Sequence, residues 1–310
     1  MSTRLKWIGR LLSGAAMLSA FVPAGPAAGS FPGPDGRIAF VQGPDVYTMR
    51  RDGSDVRQLT TLAPGSAAHA SWSRNGRQLV FDVFPPAASA QLWLMDADGS
   101  RQRLLLDDPD YDDLDPSFSP DGANVTFSRC QTTDGGTCAI YRIGTDGSGL
   151  TALTAFNPAV IDFQSPYSPD GSTIAFGRVA FNGALAPTGA VDLMNADGSD
   201  VRRLTPLALG AADPDWSPDG SRLVFTTHCC DPENAQLWTI RADGTHAAPL
   251  TASSNLHDFQ PSWAPQNDAI AFERHAPSAI HTGIYVIRPD GTGLKMIERG
   301  GTAPRWGPTP

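Results

Sequence analysis

A short string at Asp35 to Phe40, DGRIAF, keeps returning along the chain: NGRQLVF ending at Phe81, DGANVTF at Phe127, DGSTIAF at Phe176, DGSRLVF at Phe225 and a degraded NDAIAF at Phe272. The terminal aromatics of these copies are spaced 41, 46, 49, 49 and 47 residues apart. Self-similarity at a fixed period marks one repeated supersecondary unit, and this period is the size of a propeller blade. Each copy is followed by a second apolar strand and an Asp-Gly turn: VYTMRRDGS, LWLMDADGS, IYRIGTDGS, VDLMNADGS, LWTIRADGT and IYVIRPDGT. Asp-Gly between apolar strands supplies the positive φ of a tight hairpin. These D-x-D-G stretches lack the downstream Glu of a Ca²⁺ loop, so they read as hairpins. Leu59-Thr60, Leu104-Leu105, Leu153-Thr154, Leu204-Thr205, Leu250-Thr251 and Met296-Ile297 are expected to form the outermost strands.

The strand before each repeat carries an aromatic: Trp72, Phe118, Tyr167, Trp216 and Trp263. The sixth, Trp306, stands at the far end of the chain in PRWG, so the last strand is expected to complete the first blade. An open solenoid would be capped rather than completed by the opposite terminus, whereas a ring removes both exposed sheet edges. Frequent Gly (31) and Pro (27), with only 18% charged residues, agree with many short strands and tight turns. The expected fold is all-β: a six-bladed β-propeller of four-stranded antiparallel blades, closed by the C-terminal strand joining the first blade. The six aromatics should wedge between neighbouring blades.

Arg4, Lys6 and Arg10 precede a twelve-residue apolar run, Leu11 to Val22, and a small-residue stretch. That is a signal-peptide pattern, and the run is short of the roughly 20 residues of a spanning helix. Residues 1–28 are therefore expected to be a signal peptide and 29–310 the propeller, with a secreted or periplasmic, cell-envelope location and no membrane span after cleavage. Cleavage changes the formal charge from −9 to −12. An acidic surface repels phosphate backbones and anionic lipid, so nucleic acid and membrane surfaces are poor partners.

The pattern is complete in PDWSPDGSRLVF, Pro214 to Phe225, and resembles the TolB-type, WD40-like PD40 repeat. The resemblance runs from about Asp35 to Trp306, with single-position losses such as Arg74 and Asn75 in place of Pro and Asp. It implies a propeller like the C-terminal domain of TolB. Such propellers occur in a periplasmic translocation protein, in prolyl-peptidase gating domains and in stand-alone secreted proteins, so fold alone leaves function open. No G-x-S-x-G is present, which argues against serine hydrolysis.

Immediately before the Pro position of the inner strands lie His69, Asp115, Gln164, Asp213 and Gln260, with Ala303 the exception; two residues earlier come Asp113, Asp162 and Asp258. These are expected to ring the tunnel mouth. Convergent oxygen ligands suit a Ca²⁺ or Mg²⁺ ion, and a rim of like charge suits a basic side chain or peptide terminus; alternatively the same side chains satisfy strand-end amides. No cofactor is required by this reading, and the expected partner of the monomer is a protein or peptide at the tunnel face. His69 and His257 stand near the rim. Resemblance to propeller lyases that hold a metal with His and Gln makes a metal-dependent polysaccharide lyase or hydrolase the enzymatic alternative, although His228, His246, His275 and His281 fall elsewhere. Cys130 and Cys138 flank a hairpin loop and are expected to form a disulfide in an exported chain. Adjacent Cys229 and Cys230 could form a vicinal bond or, with His228 and Asp231, a soft-metal site.

Overall fold

The computed structural model describes residues 31–133, 136–181, 188–227, 235–252, 255–276 and 282–310. Its strands form six four-stranded antiparallel sheets. Blade 1 holds β1 (Asp35–Gln42), β2 (Asp45–Met49) and β3 (Arg57–Gln58). Blade 2 holds β4 (Ser66–Trp72), β5 (Gln78–Phe84), β6 (Gln91–Asp96) and β7 (Arg103–Leu106). Blade 3 is β8 (Tyr111–Phe118), β9 (Asn124–Gln131), β10 (Cys138–Gly144) and β11 (Thr151–Ala152). Blade 4 is β12 (Val160–Phe163), β13 (Thr173–Ala180), β14 (Thr188–Asn195) and β15 (Arg202–Arg203). Blade 5 is β16 (Ala212–Trp216), β17 (Arg222–Thr227), β18 (Gln236–Arg241) and β19 (Ala248–Pro249). Blade 6 is β20 (His257–Trp263), β21 (Ile270–His275), β22 (Gly283–Ile287) and β23 (Lys295–Arg299). The last strand, β24 (Thr302–Pro308), is the innermost strand of blade 1, in the order β24-β1-β2-β3.

The repeat explains the core. All six repeat phenylalanines, Phe40, Phe81, Phe127, Phe176, Phe225 and Phe272, are fully buried, and the six wedge aromatics are at most 5% exposed. Each such ring removes about 150–250 Å² from water. The Asp-Gly turns hold their glycines at φ between 83° and 88°. In each, the Asp carboxylate accepts the amide N–H two residues on, as Asp52 does from Ser54 at 2.9 Å. These carboxylates therefore build hairpins.

The outermost strands differ in detail from the sequence expectation. In blades 1, 3, 4 and 5 they end just before the Leu-Thr pair. There the threonine hydroxyl accepts a backbone N–H from the neighbouring strand, as Thr60 does from Val46 at 3.0 Å and Thr205 from Val191 at 2.9 Å. A side chain thus takes the place of a ladder carbonyl. In blades 2 and 6 no threonine follows, and β7 and β23 run on through Leu104-Leu105 and Met296-Ile297.

Closure is made by β24 against β1, with Ile38 opposite Trp306 and Ala39 opposite Arg305. Gly307 makes the seam possible, since a Cβ there would lie 2.4 Å from Cγ of the Trp72 indole. Arg51 stands where the other blades carry Ala97, Thr145, Ala196, Ala242 and Pro289. Its guanidinium lies 2.5 Å from Asp35, 2.9 Å from Asp268 of blade 6 and 5.3 Å from the Trp306 ring centre. One side chain thereby clamps the first blade, the last blade and the closing strand.

The chain enters across the lower mouth, the end bearing the loops between first and second strands. Phe31 is buried with Val80 and Phe118 of blades 2 and 3, while Gly33, two residues on, donates to the Pro265 carbonyl of blade 6 at 3.3 Å. A span that short between those blades passes close to the axis. Arg74 reaches from blade 2 to the Pro169 carbonyl of blade 4 at 2.7 Å on the same face. Replacing Gly307 with Ala should cost about 1–3 kcal/mol through overpacking, and removing residues 302–310 should cost cooperative unfolding altogether. Circular-dichroism melts check both; a truncated chain melting like the intact one would show that the ring does not depend on β24.

Candidate functional site

The residues expected to ring the tunnel share an unusual backbone. Asp115, Gln164, Asp213, Gln260 and Ala303 have φ of 59°, 59°, 53°, 49° and 50°. Left-handed backbone costs a residue with a Cβ about 1–2 kcal/mol, so something must hold five of them there. In blades 1, 2, 3, 5 and 6 the inner strand breaks register at this point, for example between Leu114 and Ser117, as a β-bulge does. The amide freed by each kink then finds a side chain in the preceding blade. Asp82 accepts the N–H of Asp115 at 3.2 Å, Ser128 that of Gln164 at 3.1 Å, Asp213 that of Gln260 at 3.4 Å and Glu273 that of Ala303 at 3.0 Å. Gln164 accepts the N–H of Asp213 and returns a hydrogen bond from its own amide. His69, the sixth member, keeps ordinary φ and gives its N–H to Asp82 at 2.8 Å.

Asp82, Ser128 and Glu273 were not among the residues singled out from the sequence. Their signal was available: each directly follows a repeat phenylalanine, where a strand buried on both faces would otherwise carry an apolar residue. The second set of carboxylates has an equally regular partner. Asp113, Asp162 and Asp258 face Arg129, Arg178 and Arg274 directly across the sheet, each held by a two-pronged guanidinium at 2.6–2.9 Å. Every pair is separated by 16 residues. In blade 2 both partners are lost together, with Ala67 opposite Val83. Burial raises Asp113 to about 6 against the pull of Arg129.

At the centre lie two cations. His69 Nδ1 is 2.6 Å from Asp82 and 2.9 Å from Asp115. Burial works against its charge, but the two carboxylates outweigh burial and push it up to about 10. Arg305, on the closing strand, is 3% exposed. Its burial lowers it to about 10, opposed by the charges of Asp215, Asp213, Asp115 and Glu273. Those carboxylates come from blades 5, 3 and 6, and Arg305 is carried by the innermost strand of blade 1. Asp213 is raised to about 6, first by burial. Asp215 also accepts the backbone N–H of Trp263 at 2.7 Å, and Ser262 that of Trp306 at 3.0 Å, so the backbone of these wedges is tied to the same belt.

His69, Asp82 and Asp115 place three ligand atoms within 4.8 Å of one another, the one such group among the described residues. A metal there would have to replace the His69 proton that bridges both carboxylates. A hard cation such as Ca²⁺ wants six or more oxygens, so this donor set suits a borderline metal better. His257 lies opposite His275 in blade 6, His275 is paired with Glu273, and His246 sits on an exposed hairpin. Cys130 and Cys138 are cross-strand partners joined by a disulfide. Cys229, Cys230, His228, Asp231 and His281 lie outside the described residues, as does the expected leader 1–28.

No family model matches the chain. It is 28% identical over 197 residues to the uncharacterized protein Atu1656 of Agrobacterium fabrum, a stretch covering 59% of this chain and 61% of that protein. The match thus spans about three fifths of that relative. Among solved structures, TolB from Acinetobacter baumannii superposes with a TM-score of 0.71 at 18% identity, covering 88% of this chain and 67% of that one. The putative TolB from Agrobacterium tumefaciens gives 0.66 at 20% identity, covering 86% and 90%. The fold is that of a TolB-type propeller. An oligogalacturonate lyase in complex with manganese shares the TolB-like architecture more distantly, with a TM-score of 0.57 at 12% identity and coverage of 86% and 73%. Among the described residues no helix is long and apolar enough to cross a membrane.

Because His69 is raised above its ordinary 6.5, its stabilisation is fully present below pH 6.5 and is lost as pH rises through about 10. The melting temperature should therefore fall across that window, and His69→Gln should flatten the fall; an unchanged pH profile would place the proton elsewhere. Arg305→Ala should destabilise by about 3–5 kcal/mol by leaving buried carboxylates uncompensated. Denaturant titration reads the loss, which should shrink on acidification as those carboxylates are neutralised.

Proposed function

We propose that the protein is an exported, non-enzymatic scaffold that receives a protein or peptide partner at the upper tunnel mouth, the end opposite the loops between first and second strands. One observation carries this reading: the carboxylates that a catalytic ion would need are already held by the chain's own cations. Asp113, Asp162 and Asp258 are gripped by arginine forks, Asp82 and Asp115 share the His69 proton, and Arg305 stands among the rest. Breaking such buried pairs costs several kcal/mol, so the belt serves as a rigid frame. A rigid, preorganised rim loses little entropy when a partner docks. The TolB-like fold agrees with a binding role, and Phe31 and Arg74 cover the opposite end.

A second reading, a metal-dependent lyase, is favoured by the His69, Asp82 and Asp115 trio and by the manganese-bound lyase of similar fold. Photo-crosslinking separates the two. A crosslinker at exposed Asp110, beside the upper mouth, should trap a partner in the native envelope or medium, whereas one at Asp146, on a lower hairpin, should not. Equal trapping from both positions, or a stoichiometric transition metal with turnover of a polysaccharide, would sink the scaffold reading.

A further inference from the structure

Away from the tunnel, where blade 6 meets blade 1, a cleft of about 450 Å³ is lined by Arg50, Arg51, Asp52, Val286, Lys295 and Ile297. In a chain of formal charge −9, its wall carries three cations and one anion. Arg51 is paired with both Asp35 and Asp268, so its charge is neutralised within the chain and the positive charge left to the cleft is that of Arg50 and Lys295. Arg50 is different. Its side chain is 66% exposed and its nearest carboxylate, Asp55, lies 3.5 Å away. Asp55 is already shared by Arg37 and Arg57 at 2.8 and 2.9 Å, which leaves Arg50 in excess. Lys295 is exposed and makes no ion pair among the described residues. Asp52 is turned onto the Ser54 amide and hydroxyl of its own turn but stays ionised, which leaves Arg50 and Lys295 against one carboxylate.

Between these charges the floor is apolar. Val286 and Lys295 are cross-strand partners, and Ile297 is the extra residue of a bulge in β23. Val286 and Ile297 are both half-buried. Only this blade pairs two arginines before its Asp-Gly turn, so the cleft's charge comes from a local departure and not from the repeat.

We propose that this seam cleft is a second docking site, for an acidic segment of a partner protein that lays one apolar side chain on Val286 and Ile297 with flanking carboxylates against Arg50 and Lys295. Charge complementarity selects such a segment over the neutral or basic ones that the rest of an acidic surface would draw, and the volume is within the range of small-ligand pockets. The site is independent of the tunnel mouth and stands or falls without it.

The test uses the mature protein and a fluorescein-labelled pentapeptide with one central leucine and two glutamates on each side, read by fluorescence anisotropy at low salt. Binding should weaken with added salt, with glutamine in place of glutamate and with serine in place of leucine. The double variant R50E/K295E should weaken it by about tenfold or more, as expected for two exposed ion pairs turned repulsive, with an unchanged melting temperature because both side chains are exposed. No binding by the intact protein, or equal binding by a folded double variant, overturns the proposal.

Discussion

The pairing of β24 with β1 turns a row of six sheets into a ring, and the packing of blades 1, 2 and 6 around the seam depends on it. A propeller blade buries its wedge aromatic only if a neighbour stands on both sides, so one missing seam would expose two faces at once. The seam is accordingly the most specialised part of the molecule. Gly307 admits the Trp72 ring, Arg51 ties three elements together and Trp306 hangs its backbone N–H on Ser262. The same strand delivers Arg305 to the axis, so closure and tunnel electrostatics are one event.

Around the axis, a common cause runs through the polar residues. The inner strands kink, the kink frees an amide, and a buried amide without a partner is costly. The preceding blade answers with Asp82, Ser128, Asp213 or Glu273. Carboxylates placed for that purpose would repel one another in a low-dielectric centre, and His69 and Arg305 supply the balancing charge. Much of this acidic belt is engaged in hydrogen bonds and internal ion pairs. Its rigidity is the property that a docking rim needs.

The repeat also shows where to look for function, because structure explains most of its regular positions and leaves the departures standing. Arg74 breaks the SPDG loop and spans the lower mouth. Arg50 and Arg51 break the turn pattern and leave positive charge at a seam of an acidic protein. Side chains that the blade geometry does not require are the ones free to take on another role.

Fold, blade count, wedge residues and closing strand were legible in the sequence because each rests on a local pattern repeated six times, and periodic burial follows directly from strand geometry. The ring positions His69, Asp115, Gln164, Asp213 and Gln260 could also be located by their place in the repeat, before a position that is proline in blades 3, 5 and 6 and Ala70 or Ser165 in blades 2 and 4. Their partners could not. Whether Asp113 holds an ion or faces Arg129 depends on which residue lies across the sheet, and whether the tunnel is open to a cation depends on Arg305, which is far in sequence from Asp115, Asp213 and Asp215. Spacing along a chain fixes what each strand presents; only the closed ring decides which charges meet, because it brings blades 1, 3, 5 and 6 to one point.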